Sequence, residues 1–287
     1  MKKALGIILI VATIIACCFA FTACNKGEDK ISMIDIDLSS EQYAFAFKKS
    51  DTELMAKVNK IMADNAAEIE SIKSKYLNAT EDELATFGST IQSSATGSDN
   101  EFVVATNLEF SPFEYMNGAK MAGIDIEIAQ LIAKKLNKKL VVENMEFDAV
   151  VTSVQNLDKY DIGMAGLTIN EDRKKLVAFG NPYFDTTQVI LVKEGNATFK
   201  DCKTKEEMFN KLKTLKGDAA LCGGQKATTG QQFVLGNEAL EFAGFKNLKF
   251  SGYSSPALAV KAMLDGKINF VIVDKAVAQT LVKNFNK

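Results

Sequence analysis

From residue 31 onward the chain switches between two hydrophobic periods. ISMIDIDL at 31–38 and QYAFAFK at 42–48 carry apolar or β-forming side chains at alternate positions, the period of a strand. Asp51 and Thr52 then open a stretch with Leu54, Val58, Ile61, Met62, Ile69 and Ile72 along one stripe, predicting a single long helix through about Tyr76. Thr80 with Glu83 makes a capping box for a short second helix. Residues 88–100, GSTIQSSATGSDN, read as a flexible linker by composition. Beyond them strands and helices alternate. Strands are predicted at 102–106, 140–144 and 161–166, with helices at 124–136, 148–156 and 170–175. The second half repeats the alternation, with helices at 205–215, 228–240, 255–265 and 274–284 and strands at 219–224, 248–251 and 269–273. Such alternation implies an α/β fold of mixed sheets covered by helices.

The first 24 residues stand apart from this pattern. Lys2 and Lys3 precede an apolar stretch from Ala4 to Phe21, then Thr22-Ala23-Cys24, which reads as a signal peptide with a small-residue cleavage site. The apolar core is short for a membrane span. The sequence before Cys24 resembles a bacterial lipobox with Phe21 at the usual aliphatic position, so Cys24 is expected to become a lipidated first residue tethering the domain to a membrane surface. The roughly 260 residues that follow suffice for one large domain or two lobes.

Composition removes several functions. The formal net charge is −2 and no basic patch recurs, which argues against a nucleic-acid partner. Histidine is absent, so serine–histidine and cysteine–histidine mechanisms are excluded and the commonest metal ligand is missing. No metal or cofactor is expected. Cys202 and Cys222 could pair in an exported protein, closing a loop of about 20 residues worth roughly 3 kcal/mol, or could stay free thiols. Among 34 lysines and arginines together, Arg173 is the sole arginine. Its planar fork grips a carboxylate through two parallel hydrogen bonds, which lysine cannot do.

The segment from Phe102 to Val192 closely resembles the first lobe of family 3 extracellular solute-binding proteins, the polar amino-acid receptors of ABC importers. The matching motifs are ATNLEFSPFEY at 105–115, GIDIEIAQLIAKKL at 123–136, FDAVVTSVQ at 147–155 and DIGMAGLTINEDRKKLVAFGNPYF at 161–184. GQKATTGQQF at 224–233 and INFVIVDKAVA at 268–278 resemble the second lobe. The resemblance implies a two-lobed, periplasmic-binding-protein-like clamshell of type II with two hinge crossovers. One segment is out of place. MIDIDLSSEQYAFAFKKSDTELMAKVNKIM at 33–62 resembles the part that normally closes the family, after the VIVDKAVA helix. Each family element therefore appears once in rotated order, which reads as a circular permutation, with 63–100 as the linker joining the old ends. Lobe 1 would then be continuous over 43–191, and lobe 2 split into 30–41 and 194–287, with crossovers near 41–45 and 189–194. The rival is an added N-terminal helical domain on a chain lacking its closing elements.

Motif by motif, the resemblance implies a site. Arg173 would hold the ligand α-carboxylate, helped by Thr168 beside Gly166, and from lobe 2 by the backbone at Thr228 and Thr229. Ala227 replaces the glycine usual before those threonines. Asp274 would pair with the α-ammonium. Phe110 and Phe147 would wall the side-chain pocket, while Asn107, Glu109 and Gln225 would reach the distal end of the ligand. A neutral amide at Asn107 favours a polar uncharged side chain, although Glu109 or Asp148 could restore attraction for a cation. The implied function is a monomeric lipoprotein on the outer face of the cytoplasmic membrane that closes over a free amino acid and delivers it to an ABC permease. The alternatives are a prephenate- or arogenate-type dehydratase on the same fold, for which Glu109 is the one candidate acid, and a ligand-sensing receptor domain.

Overall fold

A computed structural model describes residues 30–237 and 242–287; the expected signal sequence and Cys24 lie outside the described residues. Two five-stranded sheets organise the chain. The first runs in the order Ala178–Phe179, Ala46–Phe47, Ile162–Gly163, Glu101–Thr106, Lys139–Asn144. Its last three strands are parallel, and Ala46–Phe47 and Ala178–Phe179 add antiparallel at one side. Alternation along its strands feeds two cores. Phe102, Val104 and Val142 join Ile126 and Ile128 of the helix Ile124–Lys135 in one cluster, while Val103, Ala105 and Val141 join Val150 and Val154 of the helix Phe147–Asn156 in another.

The second sheet runs Ile31–Ile34, Gln188–Lys193, Phe270–Asp274, Leu221–Gln225, Lys249–Tyr253. Here Ile190, Val192, Phe270 and Ile272 face Phe199 and Met208, whereas Val189, Leu191, Val271 and Val273 face the helices Pro256–Leu264 and Lys275–Phe285. Between the two sheets the strands Glu41–Tyr43 and Phe184–Thr186 pair antiparallel as a two-stranded ribbon. This ribbon is the hinge. Its second strand lies ahead of the expected 189–194 crossover, because Gln188–Lys193 is already hydrogen-bonded between Ile31–Ile34 and Phe270–Asp274 inside the second sheet. The boundary expected at 191–194 is corrected accordingly.

Residues 30–87 are built into both halves. They supply the edge strand Ile31–Ile34, one hinge strand and the strand Ala46–Phe47, and then two helices, Thr52–Asp64 and Ala66–Asn78. The expected single helix breaks at Asn65, whose side-chain Nδ2 donates to Ile61 O at 2.7 Å and competes with the helical ladder. The second helix packs on Ile124–Lys135, with buried Tyr76 donating to Glu127 Oε1 at 2.6 Å. The capping box at Thr80 and Glu83 is present. The stretch 88–100 is only partly a free linker. Ser89 bridges Met121 and Gln92 bridges Val141, so its first half is strapped to the first lobe. At the other end of the chain, Asn286 exchanges two 2.8 Å hydrogen bonds with the backbone of Ile31, setting the end of the last helix against the first strand.

Among the described residues no helix is long and apolar enough to cross a membrane, and no cluster of metal-ligating side chains occurs. Cys202 and Cys222 are free thiols. Cys222 is buried, with its thiol pushed up to about 12 by burial.

Candidate functional site

The cleft lies where strand ends of both lobes meet the hinge ribbon. From the first lobe, Gly166, Thr168 and Arg173 come in one continuous turn after the strand Ile162–Gly163. Gly166 takes φ +53°, and a Cβ there would stand 2.9 Å from the Phe110 ring, so the close approach of that ring requires glycine. Its N–H donates to Asp125 at 3.0 Å, and the same carboxylate accepts the Tyr183 hydroxyl at 2.6 Å. Burial raises Asp125 to about 6; burial and the nearby Asp125 charge hold Glu114 well above the usual carboxylate range. This buried group fixes the turn that carries Thr168 and Arg173.

Arg173 is buried on the short helix Glu171–Leu176, which is capped by Asn170. One guanidinium nitrogen donates to Thr168 O at 2.8 Å and the other crosses the cleft to Ala227 O at 3.3 Å. Its flat face lies over the Phe147 ring at 5.3 Å. Burial pulls the guanidinium below its ordinary value, opposed by Glu41 and Asp274. Ala227 adopts φ +61°, the left-handed conformation that the expected glycine would take freely. The loop geometry is therefore kept despite the substitution.

From the second lobe come Asp274, Gln225, Thr228 and Thr229. Asp274 ends the strand Phe270–Asp274 and is buried; its side chain makes no cap bond to the following helix. Instead it accepts the Tyr43 hydroxyl of the hinge at 2.6 Å. Burial, reinforced by the Glu41 charge, raises its pKa to about 7. Thr228 caps the helix Thr229–Leu235 and donates to Gln225 O at 2.7 Å, so its hydroxyl is committed within its own lobe. Thr229 instead donates to Glu41 at 2.7 Å, and Thr168 of the first lobe donates to the same carboxylate oxygen at 2.8 Å. Glu41 thus ties both lobes from the hinge.

At the distal side, Asn107 is buried, donates to Met145 O at 2.8 Å and accepts from Gln225 Nε2 across the cleft at 2.9 Å. Glu109 departs from expectation: it is exposed on the strand Glu109–Phe110, because period-two alternation sends its side chain away from buried Phe110. Asp148 is also at the surface, where it and Glu146 pair with Lys226 of the opposite lobe at 3.4 and 3.0 Å. Neither acid provides a cation site inside the cleft. The structure thus brings Arg173, Asp274, Thr168, Gly166, Phe110, Phe147, Thr229, Asn107 and Gln225 to one interlobe region. Sequence reasoning missed Glu41, Tyr43 and Gln188. Their one signal is that each is a polar or aromatic side chain at the start of a β-forming run, SEQYAF at 40–45 or TQVILV at 187–192.

Two lobes joined by a paired hinge and closed over buried, opposite charges define a clamshell binding protein. Residues 102–286 match the bacterial extracellular solute-binding proteins, family 3, and the chain belongs to that family. It is 31% identical over 182 residues to a probable histidine-binding protein of Neisseria gonorrhoeae, covering 63% of this chain and 61% of that protein, so it spans about three fifths of that relative's length. Among solved structures it resembles the arginine-bound form of truncated ArgBP from T. maritima, with 29% identity and a TM-score of 0.53 over 64% of this chain and 78% of that one. Most of the similar curated proteins are amino-acid-binding proteins of ABC transport. One relative is an enzyme: cyclohexadienyl dehydratase of Pseudomonas aeruginosa is 26% identical over 178 residues, 60% of this chain and 58% of its own.

Proposed function

We propose that this protein is an exported, lipid-anchored receptor that captures a free polar amino acid between its lobes and presents it to the permease of an ABC importer. Anchoring would run through Cys24, and the protein would act as a monomer. In this scheme Arg173 holds the α-carboxylate with Thr168 and the backbone around Thr229. Asp274 takes the ammonium, and Phe110 and Phe147 flank the side chain. The observation that carries it is the placement of buried Arg173 and buried Asp274 on opposite lobes, where the Asp274 charge favours the protonated guanidinium against the effect of burial. An amino acid is the small molecule that supplies a counter-charge to both. The relatives that bind histidine or arginine by name point the same way.

The rotated order belongs to the same proposal. The segment 30–78 would be the family's closing part moved to the front, with lobe 2 assembled from both ends of the chain. Support comes from the Asn286–Ile31 contact and from strands of this segment in both sheets. A dehydratase role is not favoured, since the one candidate acid, Glu109, is exposed to solvent and not buried with Arg173 and Asp274.

A thermal-shift screen of the twenty amino acids, cystine and ornithine tests the function. At least one should raise the melting temperature by several degrees. No shift with any of them, together with turnover of prephenate or arogenate, would instead establish the enzyme.

A further inference from the structure

The buried acids Glu114 and Asp125 stand side by side because the main chain puts them there. Glu114 opens the strand Glu114–Asn117, and Asp125 lies in the first turn of the helix Ile124–Lys135. That helix start is bound to the segment just before Glu114. Ile124 N–H donates to Pro112 O at 3.0 Å, and Asp125 N–H to Phe113 O at 2.9 Å. Both carboxyls are fully buried, and neither pairs with a lysine or arginine among the described residues.

Their hydrogen bonds differ. Asp125 receives Gly166 N–H on one oxygen and the Tyr183 hydroxyl on the other. Glu114 receives none: no N–H or hydroxyl of the described residues reaches either of its oxygens. A carboxylate buried without donors is too costly to persist, so Glu114 is the neutral acid. The O–H of a neutral acid needs an acceptor in turn, and Glu114 is hydrogen-bonded to Asp125. The pair then holds one proton and one negative charge, and the charge belongs on Asp125, where the donors converge. The titration directions agree. Burial and then the Asp125 charge hold Glu114 well above the usual carboxylate range, whereas Asp125 rises only to about 6. The other titratable groups within reach of Glu114 are Tyr183 and Tyr43, beside the two hinge crossings.

Asp125 is a junction. Gly166 begins the turn that carries Thr168 and Arg173. Tyr183 directly precedes the hinge strand Phe184–Thr186, and its N–H donates to Tyr43 O of the other hinge strand at 2.9 Å. We propose that Glu114 is a positioning residue: as a neutral acid it gives its O–H to Asp125 and keeps that carboxylate aimed at Gly166 and Tyr183, so that the Arg173 turn and the hinge hold one relative placement. Its importance for binding rests on the amino-acid reading above; the location of its proton does not.

The proton is read without ligand. Infrared difference spectra of wild type against Glu114→Gln at about pH 8, above the value of Asp274, should show the carbonyl band of a neutral carboxylic acid in wild type alone. Absence of that band would overturn the proposal. Relative to Glu114→Gln, which keeps a donor but cannot ionise, wild type should lose several degrees of melting temperature between about pH 5 and pH 9. The folded acid keeps a proton that the unfolded chain releases above its ordinary 4.5. Parallel curves would overturn the neutral acid.

Amide exchange reads the positioning. Glu114→Met, of similar volume and without a donor, should lower protection of the Gly166 amide by about tenfold, while Glu114→Gln keeps it. Equal protection in the two variants would overturn the role. Should Glu114→Met not fold, the infrared and melting measurements decide with Glu114→Gln alone. With each of the twenty amino acids as probe, any melting shift seen in wild type should persist in Glu114→Gln and shrink by about half or more in Glu114→Met. Failure of all twenty to shift wild type would overturn the amino-acid reading alone, because infrared, melting and exchange are read without ligand.

Discussion

The Tyr43 hydroxyl donates to Asp274 at 2.6 Å, so the hinge itself holds the acid proposed to take the ligand's ammonium. That acid titrates near 7 rather than at its ordinary 3.8, first because it is buried and then because Glu41 is near. Between those values the folded protein binds more protons than the unfolded chain. The contribution to stability is therefore full below 3.8 and is lost as pH rises towards 7.

Without ligand, stability should decline as pH rises through this window, and Asp274→Asn should flatten the decline. Ligand affinity should run the other way, increasing from pH 6 to pH 8, because an ammonium pairs with the ionised acid. Calorimetry in buffers of different ionisation enthalpy should register proton release on binding. Tyr43→Phe removes a donor that favours the carboxylate, and should move the affinity profile to higher pH.

Arg173→Lys should weaken amino-acid binding by more than about tenfold although the charge is retained. The guanidinium spans carbonyls in two lobes, Thr168 O and Ala227 O, while keeping its plane over Phe147. A lysine offers neither the spacing nor the flat face. Affinity within about twofold of wild type by calorimetry would remove the fork from the mechanism.

Glu41→Ala should open the ligand-free protein. One carboxylate oxygen receives hydroxyls from Thr168 and Thr229, which belong to different lobes. Small-angle scattering should show a larger radius of gyration for the variant without ligand and convergence with wild type once ligand is saturating. An unchanged ligand-free radius would mean that closure does not depend on Glu41.

The rotated order can be reversed. A chain starting at exposed Thr80, continuing from Lys287 through a short linker into residues 30–79 and ending there, should fold and bind with affinity within about threefold of the natural order, since surface-exposed ends tolerate such exchange. Loss of folding would favour an independent N-terminal addition.

Most regular elements were legible in the sequence because each core-facing stripe keeps one period. FVVA at 102–105 is a short continuous apolar run, the mark of a strand buried on both faces, and the structure divides it between two cores. The break at Asn65 was hidden because the apolar stripe runs through it, and a single side-chain bond to Ile61 O decides it. The second hinge strand was misplaced because nothing in FDTTQVILV marks where the ribbon ends and the second sheet begins; only the pairing partners divide it. In the site, Arg173 and Asp274 were singled out through their motifs, and the structure sets both, buried, in the interlobe region. Glu41, Tyr43 and Gln188 were not, because what makes them matter is the convergence of distant strands, and Glu109 was overcounted for want of its facing.

The hinge ribbon has one more consequence. Its two crossings are hydrogen-bonded to each other in register from Glu41–Thr186 to Tyr43–Phe184. Sliding one crossing past the other would break that ladder, whereas bending across it would not. The ladder therefore leaves the jaws bending and twisting about the ribbon, and a pair of labels at Glu146 and Lys226, which meet across the mouth at 3.0 Å, would report opening.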